Sequence, residues 1–219
     1  MNTVLLRAAI SALWTDERGS SPVQFAIWSL LLGLWLAFSV AIFVAWDNRA
    51  DSSKAAYAVS DIFSRQEEIR NNLFVQMHDL TEDLVNNDSG DVKMRLTSIQ
   101  LAPSPGDPTV FTNQVQWSCA IGGGDGDAIT VHDNGSIPHA VIPPMPDGDS
   151  ILLTETFVPY TAISRQVLPT SFEWENQIVT QPRRPIAFVP LCASAAAQPG
   201  VSCSVNADFN NLQVFVDDC

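Results

Sequence analysis

Apolar and polar positions divide the chain into two regimes. Between Pro22 and Trp46 there is no Asp, Glu, Lys, Arg or His. At a rise of about 1.5 Å per residue, one helix over that run covers the ~30 Å hydrocarbon core of a bilayer. The run is longer than the apolar region of a secretory signal, and it does not follow the N-terminus directly. Beyond it, Asp47-Asn48-Arg49 turns polar without Gly or Pro, and a helical stripe continues: Ala55, Val59, Ile62, Gln66, Ile69, Leu73, Leu80 and Leu84 recur at helical spacing, flanked by Ala58, Phe63 and Met77. Asn86-Asn87-Asp88-Ser89-Gly90 supplies a stop. The pattern therefore predicts one helix from Pro22 to Asn86, on the order of 95 Å long. His78 falls on it as an exposed or half-buried helical residue.

From Val92 the period becomes two. Val92, Met94 and Leu96 alternate, and Ile99 and Leu101 then fall in the opposite phase, which predicts a strand with a bulge near Ser98. Pro103 to Pro108 is a turn, and Phe111, Val115, Trp117 and Cys119 complete an antiparallel hairpin. A long loop rich in Gly and Pro runs from Gly122 to Asp149. Further strands are predicted at Ile151–Val158, Ile186–Val189 and Leu212–Val216. Helix first and strands afterwards give an α+β fold, a long N-terminal helix packed on a small antiparallel β-sheet. The divisions are 1–19, a leader or cytoplasmic stub; 20–46, a transmembrane helix; 47–90, an amphipathic helix continuing the span; and 91–219, an antiparallel β domain with disulfides.

The start of the span is itself patterned. Ser21 can cap the helix, Pro22 suits its first position, and Gln24 can reach back to complete a capping box. Arg18-Gly19 followed by Ser20-Ser21-Pro22-Val23-Gln24-Phe25-Ala26 resembles the class III leader of type IV pilins, and more closely the TadE/TadG-like minor pilins of the bacterial tight-adherence (Tad, type IVc) pilus. In that family a prepilin peptidase cuts after the glycine, and the fifth and sixth mature residues are usually Glu-Phe. The resemblance therefore implies cleavage between Gly19 and Ser20. Phe25 matches the sixth position, whereas Gln24 replaces the glutamate that is thought to pair with the N-terminal amine when subunits stack in lipid. An uncharged Gln24 cannot neutralise that amine, which suits a subunit at the tip or in the initiating complex. Pro159-Tyr160 and Arg184-Pro185-Ile186-Ala187-Phe188-Val189-Pro190 are also similar to segments of that family.

The net charge of −13 disfavours nucleic acid as a partner. All four cysteines, Cys119, Cys192, Cys203 and Cys219, follow the span, which points to an oxidising compartment and two disulfides. Their spacing does not fit a zinc site. The short loop between Cys192 and Cys203 favours that pair, leaving Cys119 with Cys219. Four cysteines allow three connectivities, so the alternatives stay open.

Little catalytic chemistry is encoded. The run Gly122–Asp127 with Asp133 and Asn134 is acidic and glycine-rich, but Ala128 stands where a calcium-binding nonapeptide needs Asp, and the run reads as a solvated loop. His132 and His139 lack an obvious third ligand. Glu173 and Glu175, around Trp174, share a face if extended, and read as a polar edge. Motifs for nucleophilic catalysis or phosphate binding are lacking, so neither an enzyme nor a cofactor is expected. The expected role is that of a minor pilin or pseudopilin acting in pilus initiation, tip or assembly and surface adhesion. Its expected partners are a prepilin peptidase, the major pilin, other minor pilins, the inner-membrane assembly platform and membrane lipid. Its expected location is the bacterial inner membrane, with a periplasmic C-terminal domain, and the assembled pilus. The competing expectation is a membrane-anchored periplasmic binding or sensory domain.

Overall fold

The computed structural model describes residues 20–85, 91–104, 107–123, 129–134, 136–137, 140–160, 172–183, 187–189 and 201–205. In chain order the elements are α1 (Ser20–Ser64), β1 (Glu68–Arg70), α2 (Asn71–Leu84), β2 (Lys93–Ser104), β3 (Asp107–Ile121), β4 (Ser150–Tyr160), β5 (Phe172–Thr180), β6 (Ala187–Val189) and β7 (Val201–Val205). Strands β5-β4-β2-β3-β7 form one antiparallel sheet, and β1 pairs with β6 in parallel as a separate ribbon. The α+β expectation holds: a long apolar N-terminal helix lies on an antiparallel sheet. The strand expected at Leu212–Val216 lies outside the described residues.

The single helix expected to reach Asn86 instead ends at Ser64. The cause is the phase of the buried stripe. The residues that face the sheet are Ser52, Ala55, Ala56, Val59, Ser60, Phe63 and Ser64. Continued at helical spacing, that stripe would bury Gln66, Glu67 and Arg70. Breaking the helix puts Ile69 into the core on β1 and lets α2 bring in Phe74, whose ring lies 6.2 Å from that of Phe63. Two tightened turns, Arg65 N–H to Ile62 C=O at 3.2 Å and Gln66 N–H to Phe63 C=O at 3.1 Å, finish α1. Arg183 N–H then satisfies the Ser64 carbonyl at 3.2 Å.

The contact between α1 and the sheet is close because its residues are small, and it is partly polar. Ser60 Oγ lies 3.3 Å from Thr180 Oγ1 and accepts from Thr154 Oγ1 at 3.3 Å. Asn176 Nδ2 donates to Ser52 Oγ at 2.6 Å, and Ser53 Oγ donates to Asn176 Oδ1 at 3.0 Å. Each buried hydroxyl therefore has a partner, which removes the penalty of burying it. Below this seam, Val59, Phe63, Ile69, Phe74, Met94, Leu96, Trp117, Cys119, Ile121 and Leu152 form the main core.

The bulge expected near Ser98 is present as a register shift between Ser98 and Ile99 against β3. The extra residue is Gln116 on β3, since Ser98 pairs with Trp117 and Ile99 with Val115, while β2 stays in unbroken register with β4. Asn134 Oδ1 accepts the Val115 N–H at 2.6 Å beside the bulge. The apolar residues of β2 change phase because both faces of the sheet are covered. Met94 and Leu96 face α1, whereas Ile99 packs with Val115, Ile137, Ile151 and Leu153 under the 129–147 loop.

Phe63 joins α1, α2 and the sheet. Phe63→Ala is expected to cost about 3–5 kcal/mol by cavity formation, measured by urea unfolding of the detergent-solubilised protein.

Candidate functional site

Three features of the chain carry chemistry or contact. The first is the N-terminal half of α1. It is long and apolar enough to cross a membrane. Phe25, Trp28, Leu30, Leu31 and Leu34 stand out on all sides of it and are exposed. Ser20 opens the helix and Gln24 lies exposed in its first turns; Phe25 is 75% exposed. Gly19 lies outside the described residues. Where the apolar run ends, Trp46 is exposed, Arg49 sits 5.4 Å over the Trp174 ring, and Tyr160 lies 6.2 Å from the same ring. Aromatic and cationic groups gathered at the exit of a span are the composition expected at a lipid–water boundary.

The second feature is a covalent tie. Cys119 on β3 is bonded to Cys203 on β7, its direct register partner, across 84 residues of sequence. This overturns the expected pairs Cys192–Cys203 and Cys119–Cys219. β7 sets Cys203 opposite Cys119, so strand register, not loop length, decides the pairing. Cys192 and Cys219 lie outside the described residues. The strand Val201–Val205 is short, and its signal in the sequence was the alternation of Val201, Cys203 and Val205 with two serines.

The third feature is an open cleft of about 430 Å³ on the face of the sheet away from α1. Lys93 and Arg95 from β2, Glu155 and Phe157 from β4, and Glu173, Glu175 and Gln177 from β5 line it with His132 of the covering loop. Glu155, only 1% exposed, is its centre. Arg95 Nε donates to Glu155 Oε2 at 2.6 Å and His132 Nε2 donates to the same oxygen at 2.8 Å. Arg95 also holds the loop through the Thr130 carbonyl at 2.9 Å. Lys93 pairs with Glu173 at 2.6 Å, and Gln177 donates to Glu175 at 2.6 Å. Burial raises the pKa of the Glu155 carboxyl, but the hydrogen bonds and charges of His132 and Arg95 outweigh it, and the net shift is downward.

His132 Nδ1 faces Ser136 Oγ at 3.1 Å, which creates a hydroxyl–imidazole–carboxylate chain. Ser136 Oγ also accepts the Asp133 N–H at 2.9 Å, so the hydroxyl serves the turn. Glu173 and Glu175, read from the sequence as a polar edge, project from β5 into this cleft. His132 is buried, and His139 lies outside the described residues. Of the acidic run at Gly122, only Gly122 and Gly123 are described, both with positive φ. Sequence reading missed Glu155 and Arg95. The signal was a lone glutamate inside the apolar strand Ile151–Val158, which a buried position tolerates only with a cationic partner.

No family model, curated protein or solved structure matches this chain.

Two outcomes follow. Peptide mapping without reduction is expected to recover Cys119 linked to Cys203; either residue linked to Cys192 or Cys219 would contradict the strand pairing. Because the folded pKa of Glu155 lies below its unfolded value, its ionised form stabilises the fold above that ordinary carboxyl value of 4.5. That contribution is lost as pH falls from there through the folded value. Glu155→Gln is expected to cost about 3 kcal/mol or more at pH 7, and less as the pH is lowered, in thermal melts followed by tryptophan fluorescence.

Proposed function

We propose that this chain is a minor pilin or pseudopilin of a Tad-type (type IVc) pilus, with a structural role in initiation, tip formation or assembly and in surface adhesion. The observation that carries the reading is the division of α1. One continuous 45-residue helix is bare and apolar in its first half and lies on an antiparallel sheet in its second. A plain anchor needs no helix that runs unbroken from the lipid into the core. A filament subunit does, since the same helix must be held by lipid before assembly and by neighbouring helices afterwards, with its domain displayed outside. The leader-like Arg18-Gly19 and the Phe25 position support the reading, and the Cys119–Cys203 bridge suits a periplasmic and extracellular domain. The partners in this role are a prepilin peptidase, the major pilin, other minor pilins, the assembly platform and membrane lipid. The uncharged Gln24 favours a place where no subunit stacks above.

The outer cleft favours a second reading, a membrane-anchored periplasmic binding or sensory domain. Mass spectrometry of the native protein separates the two. The pilin reading expects a mature N-terminus at Ser20 and gold label at filament ends. Residues 1–19 intact in cells with an active prepilin peptidase would sink it, and label spread evenly along filaments would remove the tip position.

A further inference from the structure

We propose that the outer cleft binds a small organic cation, a primary ammonium carried on an apolar body, with Glu175 as the residue that receives the charge. The proposal names a ligand for the cleft on which the binding-domain reading rests, and it stands whether or not the chain enters a filament. At about 430 Å³ the cleft has the size of a small-molecule site. Strand register lays out its floor in two cross-strand rows: Lys93, Phe157 and Glu175 in one, Arg95, Glu155 and Gln177 in the next. Side chains two apart on a strand share a face, so Glu173 extends the carboxylate side along β5.

The pairings within these rows decide which ligand fits. Glu155 is answered by Arg95 and His132, and Glu173 by Lys93 at 2.6 Å. Among the described residues, Glu175 has only the neutral amide of Gln177, at 2.6 Å. The same amide nitrogen also donates to Glu155 Oε1 at 3.4 Å, which leaves the Gln177 carbonyl oxygen as a spare acceptor. The unused capacity beside Glu175 is therefore for a ligand that donates. A body filling the cleft strips water from the Glu175 carboxylate: a neutral one strands a charge, an anion adds to it, and an ammonium compensates it. Phe157, half-buried between Lys93 and Glu175, offers apolar area for the rest of the ligand. The Arg95 guanidinium already lies 5.7 Å from the centre of that ring, so the ligand's charge belongs beside Glu175 rather than over the ring. The chain's net charge of −13 draws cations toward it from solution.

The test titrates the full chain in detergent micelles with 2-phenylethylamine by calorimetry, with titrations into empty micelles subtracted. 2-Phenylethanol and 3-phenylpropanoate keep the ring and replace the ammonium by a neutral and an anionic group. The expected result is one 2-phenylethylamine per chain with a Kd of about 1 mM or tighter, the range open to a ligand of roughly nine heavy atoms. The other two compounds should bind at least about tenfold more weakly. Glu175 is exposed, so Glu175→Gln keeps the fold, checked by an unchanged thermal melt, and should weaken the amine about tenfold. Glu68→Gln removes the same charge on β1, outside the cleft, and should change the affinity less than about twofold at roughly 0.15 M salt. No saturation at about 10 mM amine, equal affinity for the alcohol, an unaltered affinity in Glu175→Gln, or an equal loss in Glu68→Gln would each overturn the amine site. Saturable binding of 3-phenylpropanoate in place of the amine would overturn it as well, while leaving the cleft as a binding site.

Discussion

Everything in this molecule depends on how closely α1 lies on the sheet. The contact is made by Ser52, Ala55, Ala56, Val59, Ser60 and Phe63, a stripe in which only one side chain is large. Small residues let the helix backbone approach, and their hydroxyls need partners once there. Thr154, Thr156, Asn176 and Thr180 form the polar side of that seam. The seam is therefore directional, unlike an oily one: sliding the helix by a turn would strand several hydroxyls at once. It also fixes where the helix must stop, because the next residues in phase, Gln66, Glu67 and Arg70, have no place in the core.

How much was legible in the sequence follows from the same facts. The long apolar helix was plain, because the absence of charge from Pro22 to Trp46 needs no tertiary context. The first hairpin, the bulge opposite Ser98 and the strand at Ile151 were readable as alternation with turn residues between. The helix break was not. Ile62, Ile69 and Leu73 imitate a continuing stripe, while the residues in contact are serines and alanines that hydropathy hardly weighs. Strand β5 was hidden for a related reason: Trp174, Asn176 and Thr180 face a hydroxyl-rich helix and Glu173, Glu175 and Gln177 face a cleft, so neither side is an apolar row. Of the outer cleft, only His132, Glu173 and Glu175 were noticed; the lone glutamate in an apolar strand marks Glu155 as needing a cation, but the sequence does not name Arg95 and His132 as its partners.

The two faces of the sheet are held by different means. Toward α1 there is an apolar core edged by neutral hydroxyls. Away from it, the ionised Glu155 takes one bond from β2 and one from the covering loop. Such a buried ion cluster adds little net stability relative to well-packed apolar residues, but it penalises alternative placements of the loop, which would leave a charge alone. The arrangement gives an irregular segment, rich in glycine and proline, one definite seat.

The strand order also has a mechanical meaning. The long apolar helix joins the sheet at the β5–β4 side, and the Cys119–Cys203 bond closes the opposite edge at β7. A pull between the N-terminal end of α1 and Val205 must cross the full width of the sheet. At an edge strand, that pull would ordinarily unzip hydrogen bonds one after another. With β7 bonded covalently to β3, the tension passes inward to the long ladders of β3, β2 and β4, where many bonds share the load. The domain is thus built as a strap whose outermost stitch cannot be peeled while its cysteines stay oxidised.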